Sequence, residues 1–119
     1  MLHMIAATHQ KSVAQMRKGT LEYCVLALLG EQERYGFDLV KALSEVDGML
    51  TPQGTIYPLL ARLRREDLVS TEWQESPSGP PRRYYRLTAK GRRALNDFIH
   101  EWRRFKDAVD HFVERAETR

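Results

Sequence analysis

The chain of 119 residues has one cysteine and no long apolar run, and these absences exclude several classes of protein. A single thiol, Cys24, cannot form an intrachain disulfide, and it cannot supply a zinc site by itself. No apolar stretch approaches the ~20 residues that a membrane-spanning helix needs, and the N-terminus lacks the apolar region of a signal peptide. We therefore expect a cytoplasmic protein without a membrane partner.

Residue patterns that indicate an enzyme are also missing. The four histidines show no metal-ligand spacing, and Cys24 has no histidine beside it in the sequence. The acidic residues around the second predicted helix have no convincing partner base. The sequence therefore predicts neither catalysis nor a metal or other cofactor.

Positive and negative charges nearly balance over the whole chain, but one segment carries basic residues without acidic ones. The hydrophobic content of 42% and the charged content of 29% are those of an ordinary globular domain, and the net charge is only +3. From Arg82 to Arg93, however, six residues are Lys or Arg and none is acidic. Such a local basic patch attracts phosphates, although a charge run alone more often marks a solvated surface.

The clearest functional pattern lies between Thr51 and Leu87. Apolar residues spaced i, i+3, i+4 and i+7 predict a helix with one buried face, namely Ile56, Leu59, Leu60 and Leu63. The residues predicted to face outward are Thr55, Tyr57, Pro58, Arg62 and Arg65. Two alternating segments, 67–73 and 82–87, then predict a hairpin. A short helix followed by a basic hairpin is the arrangement of a winged helix-turn-helix, whose helix enters the DNA major groove.

Several residues around this helix and hairpin are candidates for phosphate contacts. Arg82 and Arg83 lie at the base of the hairpin, and Lys18 lies near the start of the first helix, where it either meets a phosphate or is simply solvated. Gly54 has two interpretations. It either admits a close approach of another backbone at a helix N-terminus or only relieves local crowding.

Two helices are predicted before this unit. The first begins near Arg17, ends at Gly30 and buries Leu21, Cys24, Val25, Leu28 and Leu29. The second opens at Tyr35, and its predicted inner face is Phe37, Leu39, Val40, Leu43 and Val46. Tyr84 and Tyr85 are expected on opposite faces of the hairpin, so that one of them packs inward.

A long last helix is predicted from Ala89, capped by Thr88, to about Ala116. Its apolar residues follow a heptad with Leu95, Trp102 and Val109 at one position, Phe98, Phe105 and Phe112 at the other, and Ile99 and Val113 widening the stripe. Such a helix is about 42 Å long, longer than a small domain readily covers. Packing on the first helix is one solution. A homodimer is the other, and it would place two recognition helices about 34 Å apart on a palindrome-like operator.

The predicted fold is therefore mainly α with a small two-stranded β-wing: a winged helix-turn-helix plus a long C-terminal dimerisation helix. Residues 1–16 are expected to form an N-terminal arm or the start of helix one. Residues 17–88 are expected to form the DNA-binding domain, and residues 89–119 the dimerisation helix. A protein-interaction module, whose basic hairpin docks an acidic partner, is the alternative function.

Four segments together resemble the PadR family of bacterial transcriptional regulators: KGTLEYCVLALL (18–29), YGFDLVKAL (35–43), TIYPLLARL (55–63) and RRYYRLTAKG (82–91). The resemblance runs from Lys18 to Gly91, and the single helix after the wing is similar to the short-helix subgroup. It implies a homodimeric winged-helix repressor that releases double-stranded operator DNA when an effector binds.

The resemblance also implies roles for individual residues. It assigns DNA reading to Thr55, Tyr57, Pro58 and Arg62, and backbone contacts to Tyr35, Arg82 and Arg83. Trp102 would lie at a flat pocket for a small planar aromatic effector at the dimer centre, or else be plain interface core. Phe98 and Phe105 would stack on that guest or fill the space. The chain departs from the family at Asp67, where glycine is usual, and aspartate tolerates the left-handed conformation better than most residues.

Overall fold

A computed structural model describes residues 16, 19–46, 49 and 53–118 of the chain. In these residues the elements, in order, are α1 (Leu21–Glu31), β1 (Arg34–Tyr35), α2 (Gly36–Ser44), α3 (Gln53–Arg65), β2 (Val69–Ser76), β3 (Gly79–Leu87) and α4 (Ala89–Glu117). The mainly helical fold with a hairpin wing and a long last helix is confirmed. The expected N-terminal arm and Lys18 lie outside the described residues.

One hydrophobic core joins all four helices to the base of the wing. It forms because the apolar stripes of α1, α2 and α3 converge, and because β2 and β3 each turn one alternate residue toward them. Its members are Leu21, Val25, Leu26, Leu29, Leu39, Leu43, Ile56, Leu60, Leu63, Val69, Tyr85 and Leu95. The predicted apolar stripe of α3 is confirmed, since Ile56, Leu60 and Leu63 are fully buried.

The predicted end of the first helix at Gly30 is wrong by one residue. Helix α1 continues to Glu31, and Gly30 is helical. A β-carbon at Gly30 would lie 3.4 Å from Cδ2 of Leu95, so this glycine faces α4 instead of ending the helix. The chain turns after Glu31, where Arg34 donates a hydrogen bond to the Leu28 carbonyl at 3.3 Å.

Helix α2 buries fewer of its apolar residues than the sequence predicts. Leu39 and Leu43 are in the core, whereas Phe37 and Val46 are exposed, which corrects the predicted inner face. The reason is helical spacing: Leu39 and Leu43 are four residues apart on one face, and Phe37 lies off that face. The ring of Phe37 stacks instead on Tyr35, with 6.1 Å between the centroids.

The sheet has three strands, in the order β1-β3-β2, whereas the sequence predicts only the two-stranded hairpin. Strand β1 pairs Arg34 with Tyr85 and Tyr35 with Tyr84. Two residues are too few to show an alternating pattern, so this strand is decided by its partner β3. The expectation for the tyrosines is confirmed, because Tyr85 is buried and Tyr84 lies on the other face beside Tyr35.

Helix α3 ends in a turn that connects it to β2 and that contacts the start of α4. Asp67 has a φ of 63°, as expected for the position where the family has glycine. The amide of Leu68 donates to the Leu63 carbonyl at 2.9 Å, and the amide of Asp67 donates to the Arg64 carbonyl at 3.1 Å. These two bonds satisfy the last carbonyls of the helix.

Helix α4 is anchored at its first residues to that same turn. The Thr88 hydroxyl accepts a hydrogen bond from the Gly91 amide at 2.9 Å, which confirms the predicted cap, and donates one to the Asp67 carbonyl at 2.7 Å. The Thr88 amide donates to the Leu68 carbonyl at 3.2 Å. The last helix is therefore hydrogen-bonded directly to the end of α3.

Among the described residues, it is the first part of α4 that makes buried contacts with the other elements. Leu95 is buried in the core, which corrects its prediction as a dimerisation residue: its side chain is covered by its own protomer. Beyond it, large apolar side chains are exposed at Ile99, Trp102, Phe105, Val109, Phe112 and Val113. None of the helices in the described part of the chain is long and apolar enough to cross a membrane.

Candidate nucleic-acid interface

The outermost face of α3 carries mainly small side chains. Residues spaced i, i+4, i+7 and i+11 share one helical face, and here all four are exposed: Gly54, Pro58, Ala61 and Arg65. A β-carbon at Gly54 would meet no atom of the described residues within 4 Å, so crowding by these residues does not explain the glycine. A flat partner can therefore approach the α3 backbone closely along this face.

Tyr57 lies on the flank of that face nearer the wing, and its ring packs where a glycine leaves space for it. Its side chain is 42% exposed. A β-carbon at Gly36, the first residue of α2, would lie only 2.8 Å from Cε1 of Tyr57. The glycine thus makes room for the tyrosine ring, which packs against the start of α2. Thr55, also predicted to contact DNA, is exposed one turn away from Pro58 on the opposite flank.

Arg62 has a different environment from the other predicted DNA-reading residues. Its guanidinium donates to Glu22 of α1 at 3.1 Å and to the two carboxylate oxygens of Glu66 at 3.1 and 3.2 Å. The hydrogen bond to Glu22 is the largest effect that raises the pKa of Arg62. The guanidinium of Arg62 is thus shared between two carboxylates of its own chain.

The two wing arginines lie on opposite faces of β3, and each rests on an aromatic ring. The Cζ of Arg83 is 4.7 Å from the centroid of Trp73, and its Nη1 donates to the Thr71 hydroxyl at 3.1 Å. The Cζ of Arg82 lies 4.6 Å from the centroid of Tyr35. Aromatic faces attract guanidinium groups and so fix where these two charges stand.

Arg82 and Arg83 contact aromatic rings, which are uncharged, and so their positive charges are not neutralised by these contacts. Within residues 19–46 and 53–118, neither guanidinium has a carboxylate at ion-pair distance. Arg86 on the same strand contrasts with them, because it pairs with Glu33 at 3.0 Å and with Glu72 at 3.2 Å. The positive field of the wing therefore comes from Arg82 and Arg83.

Arg64 belongs to the same surface, although it is not among the DNA-binding residues predicted from the sequence. Burial raises the pKa of Tyr85, and the positive charges of Arg83 and Arg64 act against that rise. The two arginines therefore lie near one tyrosine, on the side of α3 that faces the wing. The sequence carried a signal for this position, since Arg64 follows Tyr57 by seven residues, which is two helical turns.

Tyr35, another predicted backbone contact, is half-buried and stands at the start of α2. Its ring lies beneath Arg82 and is 5.8 Å from the ring of Tyr84. In this position the tyrosine supports an arginine of the wing.

The predicted effector residues separate into two groups. Phe98 stacks face to face on Tyr23 of α1, with centroids 3.9 Å apart and planes 3° apart, so it belongs to the packing of its own protomer. It also stacks on Trp102, at 5.9 Å. Trp102 and Phe105 line an open cleft of about 580 Å³, with the Lys106–Asp110 ion pair at its edge.

Other chemistry has little support in the described residues. Among them, no three His, Cys, Asp or Glu side chains come together as a metal site. Burial raises the pKa of the Cys24 thiol, which leaves this residue a partly buried neighbour of the core and not an activated nucleophile.

Proteins that are similar to this chain in sequence and fold are transcriptional regulators. Residues 25–97 match the family described as "Transcriptional regulator PadR-like family". A PadR family transcriptional regulator from Eggerthella lenta is 34% identical, with 94% of this chain and 97% of that chain covered and a TM-score of 0.81. A PadR-like transcriptional regulator from Bacillus cereus is 35% identical, with 83% and 96% covered and a TM-score of 0.76. A transcriptional regulator from Streptococcus is 37% identical, with 82% and 96% covered and a TM-score of 0.74.

Proposed function

This chain belongs to the PadR-like family of transcriptional regulators and is a DNA-binding regulator, not an enzyme; we propose that it is a homodimeric repressor relieved by a small planar aromatic effector. In this proposal residues 17–88 bind double-stranded DNA and residues 89–119 form the dimer. The observation that carries the proposal is the pair of uncompensated wing arginines beside the exposed, small-residue face of α3.

Helix α3 enters the major groove along its outermost face. The small residues of that face let the helix backbone come near the base edges, where Thr55, Tyr57 and Pro58 make sequence-dependent contacts. Arg65, at the end of the same face, reaches a phosphate. Because Tyr57 packs on Gly36, its ring is ordered before DNA arrives, which reduces the entropy lost on binding.

The wing supplies affinity that does not depend on sequence. Arg82 and Arg83 contact the DNA backbone, and their charges release counterions from the duplex. Tyr35 and Trp73 hold the two guanidinium groups in place. Arg64, on the wing side of α3, adds to the same positive surface.

The exposed stripe of α4 supports dimerisation. Phe105 and Phe112 are 64% and 67% exposed, and Ile99, Val109 and Val113 continue the stripe. A contiguous apolar surface of this kind is unfavourable in water and is characteristic of interaction sites. A second copy offers an identical stripe, so a two-fold arrangement buries both at once.

The cleft beside Trp102 supports an effector site. Its volume of about 580 Å³ is within the range of small-molecule sites, and Trp102 and Phe105 offer aromatic surface to a planar guest. In a dimer the second α4 would cover this open cleft. Occupation of the cleft would then change how the two protomers, and thus their two α3 helices, are spaced on the operator.

Binding to a duplex taken from upstream of the protein's own gene tests the DNA surface, with a shuffled duplex as reference. Arg83→Ala is expected to weaken binding to both duplexes equally and to make the logarithmic salt dependence shallower by about 0.9, because one phosphate contact is lost. Fluorescence anisotropy titrations at several salt concentrations measure both quantities. Unchanged affinity at every salt concentration would remove the wing from the mechanism.

Tyr57→Ala is the matched variant on α3 and should behave differently. It is expected to reduce the preference for the upstream duplex over the shuffled one by roughly tenfold, within the range for losing one base contact. Equal weakening on the two duplexes would show that Tyr57 does not read sequence.

A further inference from the structure

Arg62 of α3 donates hydrogen bonds to carboxylates of its own chain. Arg62 bridges α3 to α1 through its 3.1 Å hydrogen bond to Glu22, 40 residues earlier in the chain. Glu66, its second partner, is the first residue after the end of α3. The pair with Glu22 is the more enclosed of the two, since the Glu22 side chain is 21% exposed and that of Glu66 is 47% exposed.

This arrangement matters because a carboxylate and a DNA phosphate compete for the same donors. A guanidinium binds both kinds of anion through the same N–H groups. While Glu22 accepts from Nη2 of Arg62, that group is not available to a phosphate. The carboxylate of Glu22 also places a negative charge beside α3, whereas the flank of α3 that faces the wing carries Arg64.

The segment of α1 that carries Glu22 is itself held in place. The next residue, Tyr23, stacks on Phe98 of α4 at 3.9 Å with nearly parallel rings. The charges of Glu22, Arg62 and Glu66 all act on the Tyr23 hydroxyl, so these groups form one cluster where α1, α3 and α4 meet. The carboxylate of Glu22 thus stands on a helix that two neighbours keep in place.

We propose that Glu22 is an affinity-limiting residue of this regulator: it withholds Arg62 from the DNA backbone and adds a negative charge beside the recognition helix. The inference rests on the proposed DNA-binding surface. It also changes the role predicted for Arg62. In the wild-type protein this arginine joins α3 to α1, and it becomes a phosphate contact only when Glu22 is removed.

The test is Glu22→Gln, which keeps the shape and a hydrogen-bond acceptor but removes the charge. Its affinity for the upstream duplex is expected to rise by roughly fivefold, and its logarithmic salt dependence to steepen by about 0.9, because Arg62 gains a phosphate. Glu31→Gln is the matched control, since Glu31 lies on the same helix and also pairs with an arginine, Arg34, at 2.7 Å. Its affinity should stay within twofold of wild type, with an unchanged salt dependence.

A double variant shows whether Arg62 carries the gain. Adding Arg62→Gln to Glu22→Gln should bring the affinity and the salt dependence back toward the wild-type values. Thermal unfolding of each variant confirms that the fold is kept. Equal binding by a folded Glu22→Gln protein would show that Glu22 does not limit affinity, and weaker binding would show that it orients Arg62 toward the DNA; either result would overturn the inference. If the wild-type protein itself fails to prefer the upstream duplex, the fault lies with the proposed operator and not with Glu22.

Discussion

Gly54 is a position where packing within the described residues does not require glycine, whereas the proposed contact with DNA does. Its β-carbon position is open, and its φ is not in the left-handed region, so the protein itself does not require glycine there. Glycine in a helix is destabilising by roughly 0.5–1 kcal/mol relative to alanine. In the proposed complex, this open position lets the duplex come close to the backbone of α3.

Gly54→Ala is therefore expected to change stability and DNA binding in opposite directions. The free energy of unfolding should rise by roughly 0.5–1 kcal/mol, while the upstream duplex should bind less tightly because the added methyl group meets the DNA. Chemical denaturation and anisotropy titration measure the two effects. Gly30→Ala is the control, since that helical glycine faces Leu95 and not the DNA-binding face. Unaltered binding by Gly54→Ala would mean that DNA does not approach this part of α3.

The elements α3 and α4 meet at the turn of residues 66–68. Besides the two Thr88 bonds, the Lys90 ammonium group donates to the Glu66 carbonyl at 2.9 Å. Gly91 is buried here, and a β-carbon on it would overlap the Leu68 carbonyl oxygen. The orientation of the recognition helix relative to the last helix is thus determined by one backbone hydrogen bond, two side-chain hydrogen bonds to backbone carbonyls and the close approach of the two backbones at Gly91.

Gly91→Ala is expected to lower the free energy of unfolding by roughly 1–3 kcal/mol, the usual cost of forcing a methyl group into a packed site. Relief of the overlap requires that α4 move away from the end of α3. Urea denaturation measures the loss, and Gly54→Ala serves as the reference for an alanine that has open space around it. A Gly91→Ala protein as stable as wild type would show that the α3–α4 joint is looser than this packing implies.

For the whole molecule, the proposed dimer depends on the exposed half of α4. Phe105→Glu puts a charge in the middle of the apolar stripe and is expected to weaken dimerisation by roughly 30-fold or more, as for other central interface residues. Val46→Glu is the control, because Val46 is an exposed apolar residue that does not belong to α4. Sedimentation equilibrium measures the dissociation constants. A wild-type monomer at micromolar concentration, or a Phe105→Glu protein that remains dimeric, would contradict the proposal.

Loss of the dimer should also reduce operator binding, because each protomer carries only one recognition helix and one wing. At equal protein concentration, Phe105→Glu is expected to bind the upstream duplex more weakly than Val46→Glu does. Its binding curve should also depend more steeply on protein concentration.

Local patterns were enough to determine most of the fold. The apolar stripe of α3 and the threonine cap at residue 88 each follow from residues within one or two turns of one another, whereas the left-handed turn at Asp67 was expected from the family resemblance. The wing hairpin could be predicted for the same reason, since β2 and β3 are adjacent in the chain. Strand β1 could not, because its two residues pair only with a strand about 50 positions later.

Only the tertiary structure decided which arginines keep a free charge. In the sequence, Arg62, Arg82 and Arg83 look equivalent, yet Glu22 neutralises the first while Tyr35 and Trp73 support the other two. The same holds for Leu95 and Phe98, which the heptad placed with the exposed stripe and which α1 covers within one protomer. Periodicity determines which face of an element a side chain occupies, whereas the neighbour on that face comes from a distant part of the chain and depends on how the elements pack.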